Sequence, residues 1–332
     1  MMQRDRLAER IRRVDPDSFE ALALDVFRYQ ATHNLIYARY LELLHRRPAD
    51  VLHLTDIPCL PISVFKTQPV RSGGAWTPVR TFSSSGTTGA ATSRHALRSE
   101  AWYRELARTT FERQYGPLPG RAVLALLPAY LERTGSSLVF MAQDFIERSG
   151  HPDSGFFLDD LPELSRRLAR LHAAGTPTLL LGVSFALLDL AERHPQSLPN
   201  TIIMETGGMK GRRRELTRRE LHALLQRAFA TRQIHSEYGM TELLSQAYAP
   251  CAGRFHPAPT LRVLPREVSD PFGAGELGRT VALNLVDLAN LDTVSFIASD
   301  DLGRVYADGT FEVLGRMDFS DVRGCNLLVG EG

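Results

Sequence analysis

Between Ala122 and Tyr238 the chain repeats one alternation, a short apolar run followed by a stretch with helical spacing. The runs "AVLALLP", "TPTLLLG", "TIIMETGG" and "RQIHSEYG" are separated by "SSLVFMAQDFIERSG", "LPELSRRLARLHAAG" and "ELTRRELHALLQRAF". Runs this short and this uniformly apolar read as strands covered on both faces. Strands separated by helices pair in parallel through crossovers, so the sequence predicts an α/β core, a mostly parallel sheet flanked by helices. In such a sheet, ligand sites belong at strand ends.

The flanks follow other rules. "DPDSFEALALDVFRYQATHNLIYARYLELL" offers Asp and Ser as helix starts, then apolar residues at helical spacing: Phe19, Leu22, Val26, Tyr29, Ile36, Tyr40 and Leu44. Residues 1–78 are therefore expected to be a helical N-terminal arm that packs without chemistry. Beyond Cys251 the helical period disappears. "TLRVLP", "GRTVALNLV", "TVSFIAS" and "GRVYADGTFEVLG" read as strands, with "ADGT" as a tight hairpin turn. The expected division is an arm (1–78), an α/β core (79–250) and a β-rich subdomain (251–332) ending in a short tail with Cys325. A length of 332 residues, beyond the roughly 250–300 at which one core stops growing, suits subdomains around a shared core.

Composition narrows the partners. Lysine plus arginine number 39 against 38 acidic residues, a net charge of +1. That offers no broad field for nucleic acid or an anionic membrane, and favours a small local ligand. Cys59, Cys251 and Cys325 are far apart with no CxxC spacing, which argues against disulfide frameworks and zinc sites and for reduced thiols in a cytoplasm. The charged start "MMQRDRLAERIRRVD" lacks the apolar segment of a signal peptide, and "TPTLLLGVSFALL" is too short to span a bilayer. A cytoplasmic protein without a membrane span is expected.

Three stretches carry candidate chemistry. Ser83, Ser84, Ser85, Gly86, Thr87, Thr88 and Gly89 form an unbroken hydroxyl and glycine run. It reads either as a phosphate cradle of hydroxyls and inward N–H groups or as a polar hairpin loop; no GK[ST] follows, so it is not a Walker loop. Tyr238-Gly239-Met240-Thr241-Glu242 follows a strand-like run. Its aromatic can cover a purine, its threonine contact a phosphate and its glutamate hold Mg²⁺; alternatively it opens a helix capped by Thr241. In "SDDLGRVYADGTFEVLGRMD", Asp300 and Asp301 precede a Gly-Arg turn and Arg316 follows another. A carboxylate there suits a ribose diol and an arginine suits ribose and phosphate, or both sit on surface turns.

In this order the three stretches resemble the adenylate-forming superfamily of acyl-CoA synthetases, peptide-synthetase adenylation domains and firefly-type luciferases, with "METGG" lying between the first two. Within it, "FKTQPV", "TFSSSGTTG" with "SRH" behind, "LPAYLERTGSSLVFM" and "DVRGCNLL" look like the LuxE-type acyl-protein synthetase branch, with phenylacetate-CoA ligases as cousins. The resemblance covers about Arg80 to Asp318. It implies ATP and Mg²⁺, a fatty or aryl carboxylic acid substrate, and an acyl reductase or other acyl-acceptor partner. Ser83 to Gly89 would hold the β- and γ-phosphates. Glu205, Thr206, Gly207, Gly208 and Tyr238 would surround the adenine, and Gly239 and Met240 would belong to the same cofactor-binding set. Thr241 would meet the α-phosphate, Glu242 Mg²⁺, and Asp301 and Arg316 the ribose, while Cys325 would accept the acyl group.

Two departures from that pattern stand out. Superfamily members usually continue past G-R-x-D into a lid domain carrying a lysine, whereas this sequence ends fourteen residues after Asp318, so the lid is expected to be absent. The lysine-rich continuation after the phosphate loop is replaced by Arg94 and His95, read as phosphate-balancing cations or as an anchor and a packed histidine. Cys325 is either the acyl acceptor or a buried strand residue. Cys59 reads as packing; Cys251 reads either way. The cluster Lys210, Arg212, Arg213, Arg214, Arg218 and Arg219 marks either an anion site or a solvated face. The expected activity is acyl-adenylate formation followed by transfer to Cys325. The alternatives are a ligase using free CoA and a nucleotide-binding subunit without chemistry.

Overall fold

The computed structural model describes residues 3–84, 92–128, 135–207 and 216–317. The chain opens with α1 (Gln3–Arg12), α2 (Phe19–His33) and α3 (Leu35–Leu43), then β1 (Leu60–Pro61) and α4 (Val64–Thr67). The hairpin of β2 (Arg80–Ser83) and β3 (Arg94–Leu97) leads into α5 (Glu100–Tyr115). Strands and helices then alternate: β4 (Ala122–Leu126), α6 (Ser137–Ser149), β5 (Gly155–Phe157), α7 (Leu161–Ala173), β6 (Thr178–Val183), α8 (Ser184–Arg193), β7 (Thr201–Thr206), α9 (Arg218–Phe229) and β8 (His235–Tyr238). The rest is β9 (Ala247–Ala249), β10 (His256–Pro257), β11 (Leu261–Arg266), β12 (Val281–Asp287), β13 (Phe296–Val305) and β14 (Phe311–Arg316).

The expected sheet is present. Among the described residues its order is β10-β9-β8-β7-β6-β4-β5, with β5, β4, β6, β7 and β8 parallel and the β9 and β10 edge antiparallel. Every residue of β4 and β6 is buried, as uniform apolarity requires of strands with helices on both faces. The helix α7 shows why its segment is helical. Leu161, Leu164, Leu168 and Leu171 form one buried stripe, and the Asp160 carboxylate caps the first turn by accepting from the Glu163 N–H at 3.0 Å.

A second sheet holds β1-β13-β12-β11, with β14 pairing the C-terminal half of β13 along the same edge as β1. The N-terminal helices pack onto it. Phe27 and Tyr37 meet Phe296 at 5.9 and 6.1 Å, and fully buried Gln30 donates to the carbonyls of Asn290 and Leu291 while accepting from the Ser295 N–H. Burying that amide is tolerable only because it is bonded at both ends. Among the described residues, no helix is long and apolar enough to cross a membrane.

Two local expectations fail. No helix follows Tyr238; residues 239–246 form an irregular loop into β9. The Gly303-Arg304 pair does not turn but lies inside β13, at a bulge opposite β14, and Gly315-Arg316 lies inside β14. A Cβ on Gly303 would stand 2.1 Å from the Glu312 carbonyl oxygen. Glycine there permits close backbone approach across the ladder rather than a change of direction. The "ADGT" turn does form, closed by Gly309 N–H to the Tyr306 carbonyl at 3.0 Å and Tyr306 N–H to the Thr310 carbonyl at 2.9 Å.

Candidate functional site

The serine run begins at the neck of the β2-β3 hairpin. Ser83 pairs with Arg94, and its N–H donates to the Gly135 carbonyl at 2.8 Å. Gly135 has φ of 100°, and a Cβ there would stand 2.8 Å from Ser83 Oγ, so only glycine lets this segment lie against the neck. Ser84 Oγ accepts from the Ser93 N–H at 2.9 Å. Ser85, Gly86, Thr87, Thr88, Gly89, Gly208, Lys210, Arg212, Arg213, Arg214 and Cys325 lie outside the described residues.

The neck stands beside the second motif. The Ser93 hydroxyl bonds the buried Glu242 carboxylate, and Lys66 and Arg316 lie near enough to attract it; burial nevertheless raises its pKa above the ordinary value. Of the two readings of His95, the structure takes the packed ring rather than the cation, and gives that ring two partners. It is fully buried, with Nδ1 2.9 Å from the Thr241 carbonyl oxygen and Nε2 2.9 Å from Thr293 Oγ1. Burial pulls its pKa down to about 4 against the pull of the Thr241 carbonyl. The ring is thus neutral, donates from Nδ1 to Thr241 and accepts at Nε2. Arg94, next to it, is exposed.

The same clamp explains the missing helix. The buried Asp287 carboxylate accepts from the N–H groups of Leu244 and Ser245, both at 2.9 Å, and from Ser245 Oγ at 2.6 Å. The Asn290 amide donates to the Glu242 carbonyl at 2.8 Å. The Thr241 and Glu242 carbonyls and the Leu244 and Ser245 N–H groups, which a helix would pair within itself, are instead taken by β3, β12 and the turn after it. Asp287, Asn290 and Thr293 escaped notice in the sequence. The signal was short polar residues inside the apolar stretch "VALNLVDLANLDTVSF", where burial demands a partner.

Tyr238 connects this loop to the third motif. Its hydroxyl donates to Asp301 Oδ2 at 2.7 Å, while Arg316 Nε, from the directly paired position on β14, donates to Oδ1 at 3.0 Å. Asp301 is buried, whereas the Arg316 side chain is 71% exposed. The carboxylate therefore sits under a solvent-facing guanidinium. Tyr238 rests against Phe255 and Phe311 at 5.8 and 5.4 Å. Gly239 is exposed, and Met240 and Thr241 are partly so, at the rim where the strands end.

"METGG" closes the arrangement from the β7 end. The Glu205 carboxylate accepts from Arg218 Nε at 3.1 Å and Ser184 Oγ at 3.3 Å, with His222 at 3.5 Å. Burial alone would raise its pKa; the His222 and Arg218 partners outweigh that and lower it. Arg218 also donates to the Val313 carbonyl at 2.8 Å and lies over Phe255, so this member of the basic cluster is a partly buried tie rather than a solvated face. Thr206 Oγ1 donates to Glu237 at 2.5 Å, and Ser184 Oγ to the Gly207 carbonyl at 3.2 Å. Cys59 is buried, its thiol pushed up to about 12 by burial, as packing residues are. Cys251 is exposed.

No protein-family profile matches this sequence, and no curated protein does. Solved structures match through the fold. The chain is similar to 2-hydroxyisobutyryl-CoA ligase in the postadenylation state in complex with R3-HIB-AMP, at 13% identity and a TM-score of 0.66, over 92% of this chain and 70% of that one. The same ligase in complex with 2-HIB-AMP and CoA in the thioesterification state matches at 14% identity and a TM-score of 0.64, over 93% and 70%. ATP-bound MatB from Rhodopseudomonas palustris matches at 16% identity and a TM-score of 0.55, over 74% of this chain. The chain spans about half the length of that MatB structure, 49% of it. The likeness is one of architecture: this chain has the mixed α/β fold of the adenylate-forming ligases.

Proposed function

We propose that this chain activates a carboxylic acid with ATP, releasing pyrophosphate and forming an acyl-adenylate, and then passes the acyl group to a thiol. The observation that carries the reading is the convergence on Asp301. A buried carboxylate at the junction of the two sheets is bonded by Tyr238 and Arg316, with Glu242 in the same electrostatic neighbourhood. Tyr238 and Arg316 take one lone-pair direction of Asp301 each, which leaves two acceptor directions for the hydroxyls of a ribose. Arg316 faces solvent from above, in reach of the sugar and the α-phosphate.

In the first step a substrate carboxylate oxygen attacks the α-phosphorus, and the bond to the bridging oxygen breaks as pyrophosphate leaves. Positioning and charge stabilisation do most of the work in such transfers. Thr241, held by His95, would present its hydroxyl to the α-phosphate, and the serine run would hold the outer phosphates. Glu242 fits the one protein carboxylate that Mg²⁺ usually takes alongside phosphates and waters, being an acid whose pKa burial raises against the pull of Ser93, Arg316 and Lys66. The bound ion would neutralise phosphate charge. In the second step a thiolate attacks the acyl carbonyl, a thioester forms and AMP departs. The thiol is Cys325 in this reading, the substrate is the fatty acid that the resemblance implies, and the onward acceptor is a reductase. The solved ligase in complex with 2-HIB-AMP and CoA favours a second reading in which free CoA supplies the thiol.

Acid-dependent exchange of pyrophosphate into ATP tests the first step, and Glu242→Ala should abolish it; undiminished exchange removes the Mg²⁺ assignment. Cys325→Ser should keep exchange and lose any hydroxylamine-sensitive acyl adduct seen by intact mass. AMP release that needs CoA, with no adduct on the wild type, selects the CoA reading.

A further inference from the structure

Ser184 opens α8 without capping it. A serine at the start of a helix commonly spends its hydroxyl on an N–H of its own first turn, but α8 carries no side-chain cap, and Ser184 Oγ turns to the end of the neighbouring strand. It lies 3.2 Å from the Gly207 carbonyl oxygen and 3.3 Å from Glu205 Oε2, so one hydroxyl hydrogen serves two acceptors. The strands set this approach. β6 and β7 pair in parallel as far as Val183 opposite Thr206, which brings the next residue of each chain segment side by side. Gly182 lets the helix start close against the sheet, since a Cβ there would stand 2.7 Å from the Leu187 side chain.

Gly207 is where the chain leaves β7. Its φ is 70°, a left-handed turn that glycine makes without steric cost, and it is exposed at the rim. Between β7 and β8, Glu205 stands opposite Ser236; carried two residues further, that register sets Gly207 alongside Tyr238, with the Thr206 hydroxyl bonded to Glu237 just below. Past the last ladder pair a carbonyl takes its direction from whatever bonds it. Here that partner is Ser184, whose other acceptor, the buried Glu205, is itself fixed by Arg218 and His222. The hydroxyl therefore ties an exposed turn to a multiply bonded carboxylate.

We infer that Ser184 is a positioning residue for nucleobase recognition, holding the Gly207 carbonyl and with it the turn at the end of β7 that meets the adenine. This deepens the adenylation reading and rests on it, because a ribose held by Asp301 lays its base along the strand ends beside Tyr238. Ser184 is buried and touches no ligand; its effect passes through Gly207. A carbonyl released to water samples several directions, and the cost of ordering it again falls on binding. The phosphates, held at the other motifs, do not share that cost.

The test is equilibrium binding to the full chain, by titration calorimetry with Mg²⁺ present, of ATP, adenosine, GTP and inorganic tripolyphosphate. Ser184→Ala should weaken ATP and adenosine by about tenfold, lower the preference for ATP over GTP by about the same factor, and leave tripolyphosphate within about twofold. Ser184→Cys keeps the volume with only a weak donor and should behave as the alanine variant does. In pyrophosphate exchange, Ser184→Ala should raise the KM for ATP about tenfold while kcat stays within about twofold. Equal losses for tripolyphosphate and adenosine, or no change in either variant, overturn the inference. So does a cysteine variant that binds as the wild type does, since the position would then need volume rather than a donor. Adenosine affinity that depends on Ser184 upholds the inference even where no acid supports exchange. Exchange by the wild type with binding unchanged in Ser184→Ala sinks the inference and leaves adenylation standing, and a wild type that binds neither ATP nor adenosine sinks both.

Discussion

His95 shows how much one side chain can do without touching a ligand. By joining the Thr241 carbonyl to Thr293 it fixes the residue proposed to meet the α-phosphate, and a misplacement there of about 1 Å can cost on the order of a hundredfold in rate. His95→Ala should lower the exchange rate constant by about ten- to a hundredfold with a smaller change in KM for ATP. His95→Gln, whose amide can still donate to Thr241, should recover most of it. Equal losses in both variants would mean that the ring only fills space. Tyr238 is similar in kind, since its hydroxyl is spent on Asp301. The sequence showed which residue types stand in the motif, but a histidine ten residues behind Ser85 gives no sign of which distant carbonyl it will reach.

At the scale of elements, Arg218 at the start of α9 holds three things at once: the Glu205 carboxylate at the end of β7, the Val313 carbonyl in β14 and the face of Phe255. The parallel sheet and the β-rich sheet are joined through it, and the rims that carry Thr206, Tyr238 and Asp301 keep their relative placement. Arg218→Met keeps most of the volume but leaves Glu205 buried with weaker partners, a change worth about 3 kcal/mol in comparable ion pairs. Chemical denaturation should show a loss of that order, and Arg218→Met combined with Glu205→Gln should lose less than Arg218→Met alone. The alternation of apolar and helical segments made the parallel sheet legible before any coordinates. The turn expected at Gly303 was not legible correctly, because a glycine required for close approach across a ladder looks the same as one required to reverse the chain.

For the whole molecule, buried titratable groups set the response to acid. His95 and His235 both have pKa values lowered to about 4, chiefly by burial, so the unfolded chain holds those protons more strongly. Their contribution to stability is present above about pH 6.5 and is lost as pH falls toward 4. Glu237 acts in the opposite sense. Burial raises it to about 7, so its contribution is present below about pH 4.5 and lost as pH rises through 7. Glu242 and Asp287, also raised by burial, act in the same sense as Glu237, so the share of His95 is read as a difference between two proteins. Between about pH 6.5 and 4.5 the wild type should lose more stability on acidification, or gain less, than His95→Gln, by up to about 3 kcal/mol. Parallel profiles of the two proteins across that range would contradict the assignment of a neutral, buried His95.

The sequence by itself determined the class of fold and the order of the candidate motifs, because strand and helix periods and local turn chemistry are properties of neighbouring residues. It also displayed Asp301, Glu242 and the serine run as unusual. Only the tertiary structure decided what those residues are next to. It placed Asp301 between Tyr238 and Arg316, took the backbone of residues 241–245 away from a helix, and put Glu237 and Tyr238 on opposite faces of one strand end. Each of those outcomes depends on buried polar groups finding partners far along the chain. Which partner is reached is set by how the sheets pack, and local sequence carries no record of it.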